Sequence, residues 1–241
     1  MPLRIAFDMD GVLADMESAL VEQAEVLSGG AARRADERSN EPPAADEAAS
    51  AGAPDVVEPV AAKLRMTPRQ QRRLWERVES IENFWQTLNE IEPGTVATLY
   101  ALSVERRWEI IFLTKRPATA GATAQIQTQR WLEARGFLLP SVYVVQGSRG
   151  QIAAALALDF VVDDRPENCL DVAVDSKAKP ILVWRDDETR RPDAVRRLGI
   201  GVVGSVARCL DILAQVEVSD ASPGMMTRVL RLLGLKEQAE A

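Results

Sequence analysis

The sequence predicts an α/β fold, a doubly wound parallel sheet with a small helical domain inserted after the first strand. Short apolar segments alternate along the chain with longer helical patterns, which is typical of a parallel sheet with helices on both faces. The 241 residues, 46% of them apolar, suffice for one large domain and a small accessory domain. One long segment after the first strand interrupts the alternation, and this predicts the insertion.

Six segments are predicted to be buried parallel strands, because each is short, apolar and rich in β-branched or aromatic residues. They are residues 3–7, 109–113, 142–145, 160–162, 181–184 and 201–203. Helices are predicted at residues 95–105, 119–135, 150–158, 166–174 and 205–216, with a last helical stretch at 225–235. Gly136 is typical of a helix stop and Pro166 of a first helical turn.

The inserted domain is predicted to cover residues 12–92, which leaves 1–11 and 93–241 for the α/β core. Within it, residues 29–62 contain no Leu, Ile, Met, Phe, Tyr or Trp. This composition predicts a disordered low-complexity insertion, because little apolar surface is available to offset the entropy of ordering. The sequence Thr67-Pro68-Arg69-Gln70 then predicts a capped helix.

The composition excludes several classes of site and partner. Histidine is absent, so Ser-His-Asp, Cys-His, HExxH and two-His iron sites are not possible. Cys169 and Cys209 have no partner at CxxC spacing, and such sparse cysteine favours a cytoplasmic protein. Neither a signal peptide nor a membrane span is expected. A formal net charge of −7 disfavours a nucleic-acid polymer but leaves small anions open as ligands.

Two predicted strands end in paired carboxylates. Asp8 and Asp10 follow the first strand at alternate positions and so lie on one side of the chain, and Gly11 permits a turn directly after them. Asp163 and Asp164 follow the fourth strand. Parallel strands end at one edge of a sheet, so these acids are expected to converge, and Mg²⁺ would relieve their repulsion. The recurrence of the pair disfavours the alternative of solvated turn residues.

Basic and hydroxyl side chains complete a predicted anion site. Thr114 ends the second strand, Lys115 and Arg116 stand beside it, and Arg149 lies at a loop-to-helix junction before the second acidic pair. Each of these residues is common at strand ends for solubility alone. Their order relative to the acids points instead to phosphate binding.

This order of motifs resembles that of the haloacid dehalogenase-like hydrolases over nearly the whole chain. DMDGVLAD at 8–15, Phe84-Trp85-x-x-Leu88 before Pro93-Gly94, and VDDRP at 162–166 look like the 5′(3′)-deoxyribonucleotidases within that superfamily. The resemblance implies a Rossmann-like core with a helical cap. It also implies a Mg²⁺-dependent phosphomonoester hydrolase that acts through an aspartyl-phosphate.

The resemblance assigns a role to each motif. Asp8 would be the nucleophile, and Asp10 would protonate the leaving alcohol and then activate water. An acid at position 10 favours phosphoester hydrolysis, because a halide leaving group needs none. Mg²⁺ would bind Asp8, Asp10 and one of Asp163 and Asp164. Thr114 and Arg149 would bind the phosphoryl group, and Arg149 replaces the family's usual lysine.

Residues of the predicted cap indicate which substrate to expect. Phe84 and Trp85 match positions that line the nucleoside pocket of the nucleotidases, and Met16 stands where those enzymes usually carry an aromatic residue. Both aromatic residues equally fit the apolar core of the cap. The expected partner is a small phosphorylated metabolite such as a nucleoside monophosphate. A sugar or other metabolite phosphate is one alternative, and a non-catalytic binding module with this fold is another.

Overall fold

The sheet of the protein is all-parallel and six-stranded. The structure, a computed structural model, describes residues 2–37, 54 and 57–215. Its strands are β1 (Arg4–Asp8), β2 (Glu109–Thr114), β3 (Ser141–Val144), β4 (Phe160–Asp163), β5 (Lys179–Val183) and β6 (Gly201–Val203). They lie in the order β3-β2-β1-β4-β5-β6. Each predicted strand is present, and the predicted parallel sheet is confirmed.

Helices occupy the connections between the strands. They are α1 (Met16–Glu37), α2 (Glu58–Lys63), α3 (Pro68–Ser80), α4 (Thr95–Arg106), α5 (Ala124–Glu133), α6 (Arg149–Ala155), α7 (Pro166–Asp175), α8 (Asp193–Arg197) and α9 (Val206–Ala214). Helix α5 begins later than the predicted residue 119, because the Thr123 side chain accepts a hydrogen bond from N of Ile126 and caps the helix there. The short helix α8 is too brief to give a periodic signal and was not predicted.

Strand β1 lies at the centre of the core. It pairs with β2 on one side and β4 on the other. Ile5, Ala6 and Phe7 have no exposed surface. Ile5 and Phe7 belong to one apolar cluster and Ala6 to another. Alternate side chains of β1 therefore enter cores on opposite faces of the sheet, as a doubly wound fold requires.

The strand order reverses direction at β1. The chain runs from β1 outward to β2 and β3, and then returns to place β4 on the opposite side of β1. In open parallel sheets, ligands bind beyond the carboxyl ends of the strands at such a reversal. The residues that follow β1, β2 and β4 are therefore the candidates for a ligand site.

Between β1 and β2, helices α1 and α3 pack against each other. The predicted capping box is present: the Thr67 side chain accepts from N of Gln70, and the Gln70 side chain accepts from N of Thr67. Leu74 and Val78 of α3 are fully buried. The apolar stripe predicted after the capping box therefore belongs to the same apolar cluster as Ile5 and Phe7 of β1.

The predicted insertion at 29–62 is partly helical. Helix α1 continues through Glu37, and α2 begins at Glu58. Val57 and Val60 are each 1% exposed. Valine is not among the residue types whose absence predicts disorder in this segment, yet the burial of Val57 and Val60 offsets part of the entropy of ordering α2. Residues 38–53 and 55–56, like the predicted helical stretch at 225–235, lie outside the described residues.

Both cysteines are buried free thiols. Cys169 lies in α7 and Cys209 in α9, in two different apolar clusters. Within residues 2–37 and 57–215, no helix has the length and hydropathy needed to cross a bilayer.

Candidate active site

A cavity of about 150 Å³ opens where β1 and β4 end. Six of the residues around it come from the loops after these strands or from the start of α6 and α7. The full lining is Asp8, Asp10, Gly11, Met16, Glu17, Lys115, Arg149, Asp164, Arg165 and Asn168. The cavity therefore combines carboxylates with cationic side chains at the reversal of strand order.

Asp8 and Arg149 form a buried ion pair. Asp8 is the last residue of β1 and Arg149 the first of α6, and they are 8% and 2% exposed. Nη2 of Arg149 donates to Oδ1 of Asp8, while Nε lies 3.7 Å from Oδ2 of Asp163. Within the described chain, Nε and Nη1 of Arg149 are buried without a hydrogen-bond partner. The guanidinium thus holds unused donors beside the carboxylate of Asp8.

The start of α6 fixes the position of Arg149. Ser148 caps the helix by accepting from N of Gln151, and its hydroxyl donates to Oδ2 of Asp171 at 2.6 Å. That carboxylate also accepts from N of Gly150 at 3.2 Å. Burial would raise the pKa of Asp171, but these hydrogen bonds outweigh it and lower the pKa. The ionised carboxylate of Asp171, in α7, therefore links α7 to the start of α6 through these hydrogen bonds.

Gly150 brings α6 close to α7. A Cβ atom at Gly150 would lie 2.3 Å from the carbonyl oxygen of Asp171 and 2.7 Å from Cβ of Asp175. Any larger residue would force the two helices apart. The glycine next to Arg149 thus sets how deeply the guanidinium reaches toward Asp8.

Asp10 is held by Arg116. Nε of Arg116 lies 3.0 and 2.9 Å from the two carboxylate oxygens of Asp10, and Nη2 lies 2.6 Å from Oδ1. The hydroxyl of Thr114 is 3.4 Å from Oδ2 of Asp10. Thr114 and Arg116 are each only 1% exposed. Thr114, the last residue of β2, and Arg116, two residues later, therefore both face Asp10.

Asp163 and Asp164 have different surroundings. Asp163 is fully buried, accepts from N of Arg165 at 2.9 Å, and receives Nδ2 of Asn168 on both oxygens at 3.0 Å. Asp164 instead packs against Gly11, where a Cβ would lie 2.0 Å from its Oδ2. Oδ1 of Asp164 is buried and has no hydrogen-bond partner in the described residues. Asp163 is thus fully occupied, whereas Asp164 has a free acceptor.

The buried acids raise one another's pKa. Burial, followed by the charge of Asp163, raises the pKa of Asp164 to about 7. Burial also raises the pKa of Asp8 well above its usual value, with Asp163 adding to the rise and Arg149 opposing it. Burial and the neighbouring carboxylates therefore both oppose ionisation of Asp8 and Asp164, and a bound cation would relieve this cost.

The donor set suits a hard cation, although the acids are not assembled around one position. In the described part of the chain, no three Asp, Glu, Cys or His side chains are grouped closely enough to hold a metal ion. Asp8 and Asp10 are each turned toward an arginine. The available ligands are all oxygens, and the unpartnered Oδ1 of Asp164 lies on the same cavity as Asp8 and Asp10. Such a set fits Mg²⁺ in chemistry.

Most of the predicted site residues meet at this cavity. Those that line it are Asp8, Asp10, Met16, Lys115, Arg149 and Asp164. Two further predicted residues contact residues of the lining: Thr114 contacts Asp10, and Asp163 contacts Arg149. Phe84 and Trp85 do not line it. They are 1% and 0% exposed and pack edge to face with each other in the core.

Sequence reasoning missed three features of the site. Arg116, expected to touch phosphate, faces Asp10 instead. Asn168 orients Asp163, and Arg165 lines the cavity. Asn168 lies in the first turn of α7 and Arg165 at its N-cap, and their closeness to the second acidic pair is a signal that could have identified them. The orientation of Arg116 has no comparable sequence signal.

Solved structures share this fold. A protein designated as a β-phosphoglucomutase from Thermotoga maritima matches with a TM-score of 0.53 at 16% identity, over 89% of this chain and 99% of that one. A dehalogenase with an intermediate complex matches with a TM-score of 0.52 at 12% identity, over 88% and 97%. No family model matches the chain, and neither does any curated protein. The predicted Rossmann-like fold, a doubly wound parallel α/β sheet, is confirmed.

Proposed function

We propose that the protein is a Mg²⁺-dependent phosphomonoester hydrolase that forms an aspartyl-phosphate on Asp8. The observation that carries this proposal is the buried pair of Asp8 and Arg149. Asp8 ends the central strand beside a guanidinium whose Nε and Nη1 have no hydrogen-bond partner among the described residues. A phosphoryl group supplies the oxygen acceptors that these donors lack, and it brings its phosphorus next to a carboxylate.

In the first step, a carboxylate oxygen of Asp8 attacks phosphorus. The bond from phosphorus to the ester oxygen breaks, and its electron pair leaves with that oxygen. Asp10, which lines the same cavity, gives the leaving oxygen a proton. Arg149 stabilises the charge on the phosphoryl oxygens, and Lys115 at the rim adds a second cation.

In the second step, water attacks phosphorus and transfers a proton to the carboxylate of Asp10. The bond between phosphorus and the Asp8 oxygen breaks, so the Asp8 carboxylate and inorganic phosphate are formed. Asp10 is again protonated for the next turnover. The site needs no imidazole for this cycle, which accords with a chain that has no histidine.

The carboxylates of Asp8 and Asp164 and the backbone carbonyl of Asp10 would hold Mg²⁺. Oδ1 of Asp164 offers a buried oxygen without another partner, whereas both oxygens of Asp163 are used by Asn168. A bound Mg²⁺ supplies positive charge that offsets the repulsion between the carboxylates and an anionic substrate. It would compete with Arg149 for the carboxylate oxygens of Asp8.

The proposed substrate is a small phosphomonoester, with nucleoside monophosphates as the first candidate. The motif resemblance at DMDGVLAD supports a nucleotide. A second cavity, of about 520 Å³, shares Gly11, Met16, Glu17 and Asp164 with the first and is also lined by Trp184. It gives room for a leaving group beside the phosphoryl site.

A sugar phosphate is the second candidate. The observation in its favour is that Phe84 and Trp85 are buried in the core and do not line the phosphoryl cavity, so they offer no stacking surface there for a base. A polar leaving group requires no such surface.

The test is release of inorganic phosphate from nucleoside monophosphates, sugar phosphates and p-nitrophenyl phosphate, each at several Mg²⁺ concentrations. The matched control is Asp8→Asn, which keeps the shape of the side chain. We expect activity that Mg²⁺ restores after chelation and that the control lacks. Equal turnover of nucleotides and sugar phosphates would exclude the nucleotidase assignment. No phosphate release above the control would exclude the enzyme and favour a binding module.

A further inference from the structure

We infer that Arg116 is the positioning residue for Asp10, and that this pairing determines how well the site cleaves esters of poor leaving groups. The inference rests on the proposed phosphatase function, because it assigns to Asp10 the proton transfers of that reaction. It adds a residue that the resemblance does not supply.

The contact between Arg116 and Asp10 fixes the plane of the carboxylate. Nε of Arg116 reaches both carboxylate oxygens, at 3.0 and 2.9 Å, and Nη2 reaches Oδ1 at 2.6 Å. The rigid fork of a guanidinium matches a carboxylate in a way that a lysine ammonium cannot. The side chain of Asp10 retains 12% exposure, toward the cavity. Arg116 therefore sets the orientation from which Asp10 meets the leaving oxygen.

Arg116 is itself immobilised from three directions. Nη1 donates to Oγ1 of Thr128 at 2.9 Å, and that hydroxyl donates to the carbonyl of Ala124 in α5. The guanidinium lies 5.1 Å from the ring centroid of Trp85. The backbone N of Arg116 donates to Oγ1 of Thr114 at 3.2 Å. These contacts hold the guanidinium in one orientation, and its hydrogen bonds hold the carboxylate of Asp10 in turn.

Trp85 has a role in this arrangement that differs from the predicted one. Its indole Nε1 donates to the carbonyl of Pro117 at 3.0 Å, and its backbone N donates to Oε1 of Gln127 at 3.0 Å. The ring is therefore fixed against the segment that carries Arg116. Trp85 therefore supports the guanidinium instead of stacking on a base.

The two buried arginines, Arg116 and Arg149, differ in how many of their donors have a partner. Nε, Nη1 and Nη2 of Arg116 all have partners within the protein. Arg149 has unpartnered Nε and Nη1 in the described residues. Arg149 is thus the cation available to a phosphoryl group, whereas the donors of Arg116 are taken by Asp10 and Thr128.

This division predicts a dependence on the leaving group. An alkyl phosphate releases a strongly basic alkoxide, so the first step requires the proton from Asp10. p-Nitrophenyl phosphate releases a weakly basic phenolate, so its first step does not. The second step, hydrolysis of the aspartyl-phosphate, is common to all substrates and requires Asp10 as the base. Loss of the Arg116 fork should slow only those steps that use Asp10.

The experiment is rapid-quench kinetics of the whole protein with Arg116→Lys, using glycerol phosphate and p-nitrophenyl phosphate as the two esters. We expect the first step to slow by about 10²-fold with glycerol phosphate and to change little with p-nitrophenyl phosphate. Hydrolysis of the aspartyl-phosphate should slow for both esters. Asp10→Asn should give the same pattern, and the double variant should be no slower than Asp10→Asn alone.

Two further variants keep the test sound. Arg135→Lys is the matched control, because Arg135 lies 4.0 Å over the ring of Trp131 but does not contact Asp10. It should leave both steps unchanged. If Arg116→Lys does not fold, Asp10→Asn/Arg116→Met leaves no unpaired buried charge, and it should be as slow as Asp10→Asn.

Equal slowing of the first step for both esters, or additive losses in the double variant, would overturn the positioning role. Such results would mean that Arg116 acts only through general stability of the site. Failure of the proposed function has a different signature. The wild-type protein would then release no more phosphate than Asp8→Asn from either ester, and the positioning role would fall with it.

Discussion

Nη2 of Arg149 donates a hydrogen bond to Oδ1 of Asp8, although 141 residues separate the two in the sequence. The contact joins the end of the central strand to the first residue of α6, and both side chains are nearly inaccessible to solvent. It therefore connects the proposed nucleophile to the cation that has donors to spare.

Replacing Arg149 by methionine and by lysine should show how much of its effect on kcat comes from its positive charge and how much from the shape of its guanidinium. Arg149→Met leaves Asp8 and Asp163 without their shared cation, so we expect kcat to fall by about 10²-fold or more. Arg149→Lys keeps the charge and should recover part of the activity, because it restores the residue type usual in the resembling family. The measurement is kcat and KM for p-nitrophenyl phosphate, with thermal unfolding to verify the fold. A wild-type kcat in Arg149→Met would contradict the role of this arginine.

Gly11 and Gly94 provide a matched pair of substitutions. Their φ angles are +84° and +83°, so alanine at either position costs about 1 kcal/mol of backbone strain. A Cβ at Gly11 would lie 2.0 Å from Oδ2 of Asp164, whereas a Cβ at Gly94 meets nothing within 4 Å. Gly11→Ala should therefore abolish Mg²⁺-dependent activity, and Gly94→Ala should retain it. Equal activity in the two variants would show that Asp164 is not needed at its observed position.

Gly150 and Gly147 test how α6 positions Arg149. A Cβ at Gly150 would lie 2.3 Å from the carbonyl oxygen of Asp171, and a Cβ at Gly147 would meet nothing within 4 Å. Gly150→Ala should lower the free energy of unfolding by about 2 kcal/mol and reduce kcat, because α6 must move away from α7. Gly147→Ala should affect neither quantity strongly. Urea unfolding and phosphate release measure the two effects, and a fully active Gly150→Ala protein would contradict the account.

Glu92 should make stability depend on pH. Its carboxylate accepts from N of Val206 and N of Ala207 at the start of α9, and it pairs with Arg185 at 2.7 Å. Burial would raise the pKa of Glu92, but these partners outweigh burial and lower the pKa below its ordinary 4.5. A lowered folded-state pKa contributes stability above the unfolded-state value, and that stability is lost as the pH falls through the folded-state value.

The corresponding measurement is the free energy of unfolding of Glu92→Gln against wild type from neutral to acidic pH. We expect a difference of about 1 kcal/mol at neutral pH that narrows as the pH falls below 4.5. Glu105→Gln, which changes an exposed glutamate, controls for the loss of one carboxylate. A difference that stays constant across this range would mean that the carboxylate charge of Glu92 is unimportant.

The strands and the acidic pairs were predictable because their signals are local. A buried parallel strand is a short apolar run, and Asp8, Asp10, Asp163 and Asp164 come directly at the ends of such runs. Parallel strands share an edge, so their convergence follows from topology. Helix α2 escaped prediction because its burial rests on Val57 and Val60, which a count of larger apolar residues omits.

The pairing of Asp10 with Arg116 could not be predicted from the sequence. Lys115 and Arg116 are adjacent cations after the same strand, yet one is exposed and the other is buried. Which of them turns inward depends on Trp85 and Thr128, which are distant in the sequence and close in space. The same applies to Trp85 itself, since helical spacing does not distinguish a core ring from one that lines a pocket.

The most direct test of the central claim is to trap the phosphoryl group on Asp8. Asp10→Asn should form the aspartyl-phosphate from labelled p-nitrophenyl phosphate but hydrolyse it slowly, so the intermediate accumulates before an acid quench. After peptic digestion at low pH, the label should lie on the peptide that contains Asp8 and should be released by hydroxylamine. It should be absent when Asp8→Asn is added. Label on another peptide, or none while the wild-type protein releases phosphate, would contradict the account.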